Sequence, residues 1–421
     1  MFTALSTAVE ALKAHYTTSN PISHAQHNSR LSHLPAGNTR SLLSYPPFPL
    51  CVRSAAGATI TSVDGAAYTD FLCEYSAGLF GHSHPVILAA LRNALDNGVN
   101  FGAVNELEGE LAAALRARFE IDKIRFTNSA TEASIMALAV AKVYTGRKKI
   151  LVFSGGYHGG PLGFAGGVSA PHNIPHEYVI APYDDIPRTA AQLSQLPPDT
   201  LAAVLVEPML GSGGCIPASI EFLQYLRTAA TELGAVLIFD EAMTSRLHWG
   251  GLQKKLDIKP DMTVLGKYLA GGMSFGAFGG RGEIMELFSG RLTHAGTFNN
   301  NVLSMAGGVA AGLLTAQILD AMNVLGDEMR VKVEGVLEGK TGGKVGISGM
   351  GSLMAFKYSG RDEVETGLVR ELMFFHLLGE GLYIAYRGFM SLSIVHERSH
   401  VDAFVGAVER FVKKYGEMLR E

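Results

Sequence analysis

Residues 235–241, Ala235-Val236-Leu237-Ile238-Phe239-Asp240-Glu241, and residues 261–267, Asp261-Met262-Thr263-Val264-Leu265-Gly266-Lys267, decide the fold. Each is a short apolar run between polar ends, the pattern of a strand buried on both faces. The first run empties into two carboxylates, the second into a lysine followed by glycines. Open α/β sheets bind ligands just beyond the carboxyl ends of their parallel strands. Asp240 and Lys267 are 27 residues apart, one β–loop–β step, so the two side chains can reach one crevice.

Working outward, strands are expected at Lys123–Thr127, Lys149–Phe153, Tyr178–Ile180, Ala202–Val206, Val236–Phe239 and Met262–Leu265, and helical periods at Glu132–Tyr144, Ile220–Leu233 and Asn300–Met322. Strands alternating with helices predict a mostly parallel sheet covered on both faces, a three-layer α/β domain. Before it, Thr59–Phe71 reads as two strands joined by an Asp64-Gly65 hairpin turn. After it come a helix near Glu365–Leu378, short strands at Leu382–Ala385 and Met390–Ile394, and a closing helix Ser399–Leu419, a smaller α+β domain. Residues 1–58, with Tyr45-Pro46-Pro47-Phe48-Pro49, predict an arm without regular helix beyond its opening amphipathic stretch. The expected division is an arm over 1–58, a large domain over 59–312 and a small domain over 313–421.

The 421 residues are 47% hydrophobic and 18% charged, enough for a large core and against disorder. Thirty-five basic and 39 acidic residues leave a formal charge of −4, without the basic field that nucleic acid requires. Glycine accounts for 49 positions, about 12% against a usual ~7%. Set among aliphatic residues without a triplet period, these predict tight turns between buried elements. Cys51, Cys73 and Cys215 lie far apart, so no disulfide framework or cysteine metal site is indicated, and a reducing cytoplasm fits. His82-Ser83-His84-Pro85 lacks nearby ligand partners for a metal. The uncharged stretch Leu292–Leu319 is rich in Gly and Ala and reads as a buried interdomain helix rather than a membrane span.

Two chemistry motifs fail on context. Gly339-Lys340-Thr341 lacks the earlier glycine of a P-loop, since residue 334 is Glu. Gly272-Met273-Ser274-Phe275-Gly276 matches a hydrolase elbow with Ser274 as nucleophile, but the strand before it and the helix after it are missing.

Strand Lys123–Thr127 runs into Asn128-Ser129-Ala130-Thr131-Glu132 and a helix, which turns backbone N–H groups and two hydroxyls toward a phosphate. The same residues also suit ordinary helix capping. A phosphate cup, an aspartate and a lysine at one sheet edge meet the needs of pyridoxal phosphate: donors for its phosphate, an anion for its pyridinium and an amine for its aldehyde. Gly155-Gly156-Tyr157-His158-Gly159 adds an aromatic able to stack on its ring.

With these segments in order, the chain resembles the fold-type I, class III pyridoxal-phosphate-dependent aminotransferases. It is nearest the branch of glutamate-1-semialdehyde aminomutases and β-phenylalanine-type transaminases. The resemblance runs from Leu34-Pro-Ala-Gly-Asn-Thr-Arg-Ser41 through Gly78-Leu-Phe-Gly-His-Ser-His-Pro85, Thr127–Ala133, Tyr157-His-Gly159, Phe239–Arg246 and Leu265-Gly-Lys267 to His294–Asn301. It implies that Lys267 is the Schiff-base lysine and proton shuttle, and that Asp240 pairs with the pyridinium. Ser129, Ala130 and Thr131 would hold the phosphate, Tyr157 would stack on the ring with His158 beside it, and Glu207 would lie near the site. Thr297 would reach the phosphate of a neighbouring subunit, making a homodimer with shared sites. Two departures stand out. Ala130 occupies a usual glycine position, and Ala242 replaces a branched residue after Asp-Glu, leaving less apolar surface beneath the ring.

Arg40 and Arg387 match carboxylate-binding positions of the β-amino-acid branch, and an arginine fork suits a carboxylate. The expected activity is amino transfer between an amino acid or amine and a keto acid. Intramolecular transfer by an aminomutase, racemisation or epimerisation, and distantly a Ser274 hydrolase, are the alternatives.

Overall fold

The computed structural model describes residues 3–421. The chain forms two units, Pro85–Asp320 and Met1–His84 with Ala321–Glu421.

Unit Pro85–Asp320 is built on a seven-stranded sheet in the order Lys123–Thr127, Gly276–Gly280, Met262–Gly266, Val236–Asp240, Leu201–Val206, Lys149–Phe153, Glu177–Ala181. Six strands share one direction and only Gly276–Gly280 opposes them. Because strand side chains alternate between faces, each apolar run serves two layers. Ile150, Val152, Val236 and Ile238 pack with Ala133, Ala137 and Leu138 of helix Ala130–Thr145. Leu151, Phe153, Leu237 and Phe239 pack with Phe222, Leu226 and Ala230 of helix Ile220–Glu232. This is the expected three-layer α/β/α arrangement, and it brings Thr127, Phe153, Val206, Asp240 and Gly266 to one edge.

Strand Gly276–Gly280 was not foreseen, since glycine weakens strands. A side chain at Gly276 would collide with the carbonyl of Ser129, so the absence of one lets the strand lie against the start of helix Ala130–Thr145. The same segment corrects the hydrolase alternative. Ser274 precedes an antiparallel strand, and its carbonyl accepts from Ser304 Oγ at 2.7 Å, so it does not sit at a strand-to-helix elbow. Asn300–Met322 is not one helix either: Val302–Leu313 and Ala316–Leu337 meet at 81°, with Thr315 Oγ1 accepting from Ile318 N at the second start. No single helix among the described residues is long and apolar enough to cross a membrane.

In the other unit, strands Thr59–Ser62 and Ala67–Asp70 form the expected hairpin, Val52–Ala56 of the expected arm adds an antiparallel strand to it, and Leu382–Tyr383 extends it in parallel. The hairpin expected in the large domain therefore folds with the C-terminal residues. A second correction concerns the arm, where Pro21–Leu31 is helical. Asp64 of the hairpin turn accepts from Ile22 N at 2.6 Å and Ser23 N at 3.1 Å, capping this polar helix from 41 residues away. Helix Thr3–Ser19 packs on Glu363–Gly379. Tyr45 and Phe48 are buried, with Tyr16 Oη donating to the Phe48 carbonyl.

Candidate active site

Asp240 closes strand Val236–Asp240 and is buried. Its Oδ2 lies 2.8 Å from His158 Nδ1, and its Oδ1 accepts from Ala242 N at 3.0 Å. Ala242 thus completes a tight turn that orients the carboxylate. His158 is held in turn by its own amide, which donates to the Leu162 carbonyl.

Register puts Phe239 beside Val206, so Glu207 emerges next to Asp240. Glu207 is buried, and its two oxygens accept from Tyr157 N and Gly211 N, each at 2.9 Å. Burial pushes this carboxyl up to about 7; His158 and the two amides oppose that rise and Asp240 adds to it. Glu207 thereby fastens the backbone of Tyr157, a residue 43% exposed. Glu241, the second carboxylate of the strand end, turns elsewhere. It accepts from Thr244 Oγ1, Leu252 N and Gln253 N and is a structural anchor.

Ser129 caps helix Ala130–Thr145 by accepting from Glu132 N at 3.2 Å, and Glu132 accepts from Asn128 N at 3.0 Å. Capping and phosphate binding are compatible, because the hydroxyl accepts in the cap and can donate outward. The amides of Ala130 and Thr131 belong to the first turn, where no carbonyl of the helix serves them. A β-carbon at Gly159 would run into Thr131. The tyrosine-bearing loop and the helix start are therefore in contact.

Strand Met262–Gly266 delivers Lys267 to this edge. Gly266 pairs with Gly276, and Gly276 pairs with Thr127, so only strand Gly276–Gly280 lies between the strand that ends at the lysine and the strand that leads into the Ser129–Thr131 turn. Lys267 has φ +58, a left-handed backbone that costs a non-glycine residue energy and recurs at functional sites. Ser129, Ala130, Thr131, Tyr157, His158, Glu207, Asp240, Ala242 and Lys267 are thus gathered at one sheet edge. Thr297 instead lies on an exposed loop beside Phe298, 54% exposed. Asn299 of that loop accepts from Asn128 Nδ2 at 3.2 Å.

Arg40 and Arg387, in the other unit, meet over one ring. Their guanidinium carbons lie 5.7 and 5.3 Å from the centroid of Tyr75, and Arg40 Nη1 is paired with Glu74 Oε1. Sequence reasoning missed Glu74 and Tyr75, which carry no motif. His82 Nε2 is 2.8 Å from Asp70 Oδ2, a local structural pair.

A class III aminotransferase family model matches residues 43–399. The chain belongs to the class III aminotransferases. It is 44% identical to a beta-phenylalanine transaminase of Variovorax paradoxus, over 96% of this chain and 95% of that protein. The solved structure of a beta-phenylalanine aminotransferase from Variovorax paradoxus superposes with a TM-score of 0.94 at 43% identity, covering 98% of each chain. A solved transaminase with PLP bound gives a TM-score of 0.88 at 30% identity, over 96% and 99%. A glutamate-1-semialdehyde 2,1-aminomutase of Thermodesulfovibrio yellowstonii is 34% identical over 87% of this chain and 92% of its own.

Class III aminotransferases work with pyridoxal phosphate, and the residues present fit it. The helix start offers two first-turn amides and a hydroxyl. Asp240 offers an oriented carboxylate, Tyr157 an accessible ring and Lys267 an amine. The departure at Ala130 does no harm. This residue is not among those with positive φ, so its alanine side chain introduces no left-handed strain and its N–H remains available.

Proposed function

We propose that this aminotransferase moves the amino group of a β-amino acid carrying an aromatic side chain to a keto acid, as a homodimer in a reducing cytoplasm. The observation that carries the reading is the convergence of Ser129–Thr131, Tyr157, Asp240 and Lys267 at one sheet edge. The resemblance to beta-phenylalanine transaminase supports the substrate class. Pyridoxal phosphate, when bound, supplies the electron sink for substrate carbon–hydrogen cleavage.

Within that scheme, Lys267 Nζ would hold the cofactor and take up and return the substrate carbon's proton. Asp240 would pair with the pyridine nitrogen, with His158 and the Ala242 amide fixing the direction of its carboxylate. The Ser129 hydroxyl, the Ala130 and Thr131 amides and the Thr131 hydroxyl bind phosphate. Tyr157 covers the ring, and Glu207 holds Tyr157 in place. Thr297 serves the phosphate site of a second subunit, which would cover Phe101, Val104 and Phe298, exposed by 50, 87 and 54%. Arg40 and Arg387 take the carboxylates of donor and acceptor.

The test is to purify the protein, titrate it with pyridoxal phosphate while following visible absorption, and offer β-phenylalanine with a keto acid. New amino acid formed from the keto acid supports the reading. Isomerisation without an acceptor would instead support the aminomutase or racemase alternative.

A further inference from the structure

Four successive non-glycine residues, Cys73, Glu74, Tyr75 and Ser76, have φ of +45, +51, +51 and +77. Each is disfavoured for an L-residue, and a run of four is far from the single left-handed residues of ordinary turns. The surroundings hold the run in place. Buried Asp70 accepts from Leu72 N at 2.9 Å and Cys73 N at 3.1 Å through Oδ1, and its Oδ2 meets His82. Gly78 N closes the turn on the Cys73 carbonyl at 2.9 Å, and Ser391 Oγ donates to the Leu72 carbonyl at 3.4 Å.

The strained turn throws two consecutive side chains onto the arginines. Glu74 pairs with Arg40 through one nitrogen and one oxygen. Tyr75 lies under both guanidiniums, and its hydroxyl donates to the Leu42 carbonyl at 2.9 Å, two residues from Arg40. We propose that Glu74 is a built-in carboxylate that occupies Arg40 until a substrate carboxylate displaces it, with the left-handed turn presenting Glu74 and Tyr75 for that exchange. This rests on the reading of Arg40 as a carboxylate-binding residue.

The geometry favours exchange over a permanent lock. Side-chain exposures of 44% and 57% leave the pair in water, where a single-point ion pair is weak. A substrate carboxylate engaging the guanidinium fork through both oxygens is the stronger partner. With no carboxylate bound, Glu74 keeps the guanidinium paired above the tyrosine, so an amine lacking a carboxylate does not leave it without a counter-charge. Glu74 therefore raises the KM for carboxylated substrates and leaves simple amines alone, which sets selectivity.

The experiment uses the holoenzyme and E74Q, with 3-phenylpropanoate as a calorimetric probe and β-phenylalanine and 1-phenylethylamine as donors. Expected is about two- to fivefold tighter binding of the probe and an equal fall in KM for β-phenylalanine, the range an exposed ion pair allows. KM for 1-phenylethylamine stays put, and E74Q has no effect in an R40A background. Weaker probe binding, or equal changes for both donors, would overturn the proposal and make Glu74 an orienting residue. Should E74Q fail to fold, E74N gives the same readouts, because asparagine tolerates a left-handed backbone. A protein that binds the probe more tightly as E74Q yet transaminates neither donor would sink the proposed function and leave the exchange standing.

Discussion

His158 Nδ1 lies 2.8 Å from Asp240 Oδ2, at the buried end of strand Val236–Asp240. The contact joins residues 82 apart in sequence and leaves Asp240 with two donors, one from the ring and one from the backbone. Exchanging Asp240 for Asn removes the charge that, in the proposed function, would face the pyridine nitrogen. We expect kcat to fall about 10²–10³-fold, the scale for deleting one preorganised electrostatic partner. H158L should lower kcat less and cost about 1–3 kcal/mol of stability by leaving Asp240 short of a donor. H158N, which retains an N–H for Asp240, should recover most of both in kinetics and urea unfolding.

Lys267 reaches the edge on a left-handed residue directly after its strand. In K267A the phosphate cup is intact, so pyridoxal phosphate should still bind. The visible absorption of cofactor joined to lysine should vanish, and turnover should drop at least about 10³-fold, since in the proposed function one residue supplies both the covalent attachment and the proton transfer. Stopped-flow mixing with donor checks this, and wild-type rates in K267A would refute the assignment.

Glu207 makes stability depend on pH. Its folded pKa, near 7, lies above the ordinary carboxyl value of 4.5, so between these values the folded state holds a proton that the unfolded state has released. Stability from this group is full below about pH 4.5 and declines as pH rises through about 7. E207Q should lose about 1–3 kcal/mol at low pH, because its amide nitrogen opposes one of two backbone donors. Its stability should then decline less between pH 5 and 7, read as a wild-type-minus-variant difference in denaturant unfolding.

The strand ends were legible because alternate apolar residues had to serve two faces and then stop at charges. That pattern located Asp240 and Lys267 without any knowledge of their partners. The pairing of Asp240 with His158 was not legible, since nothing local links two loops that the sheet brings together. Helix Pro21–Leu31 escaped because its cap is Asp64 of the hairpin, not a residue of its own segment. Strand Gly276–Gly280 escaped because its glycines answer to the nearby carbonyls of Ser129, Lys123 and Asp261 rather than to strand propensity. The left-handed turn at Glu74 and Tyr75 was hidden for the same reason: Asp70 and Gly78 impose it, and no glycine in the turn announces it.

Thr297 separates cofactor binding from assembly. It sits on an exposed loop next to Phe298, across a cleft from residues 100–105, and in the proposed homodimer it is the residue that serves the partner's phosphate. T297A removes one hydroxyl and no apolar area. It should remain dimeric by light scattering while binding pyridoxal phosphate about 10- to 100-fold more weakly, the range for one hydrogen bond to a charged group. F298D places a charge within the apolar patch and should shift the protein toward monomer, with cofactor affinity falling as the dimer dissociates. A monomeric F298D that binds cofactor as tightly as wild type would show that each subunit holds the phosphate alone, and would remove Thr297 from the site.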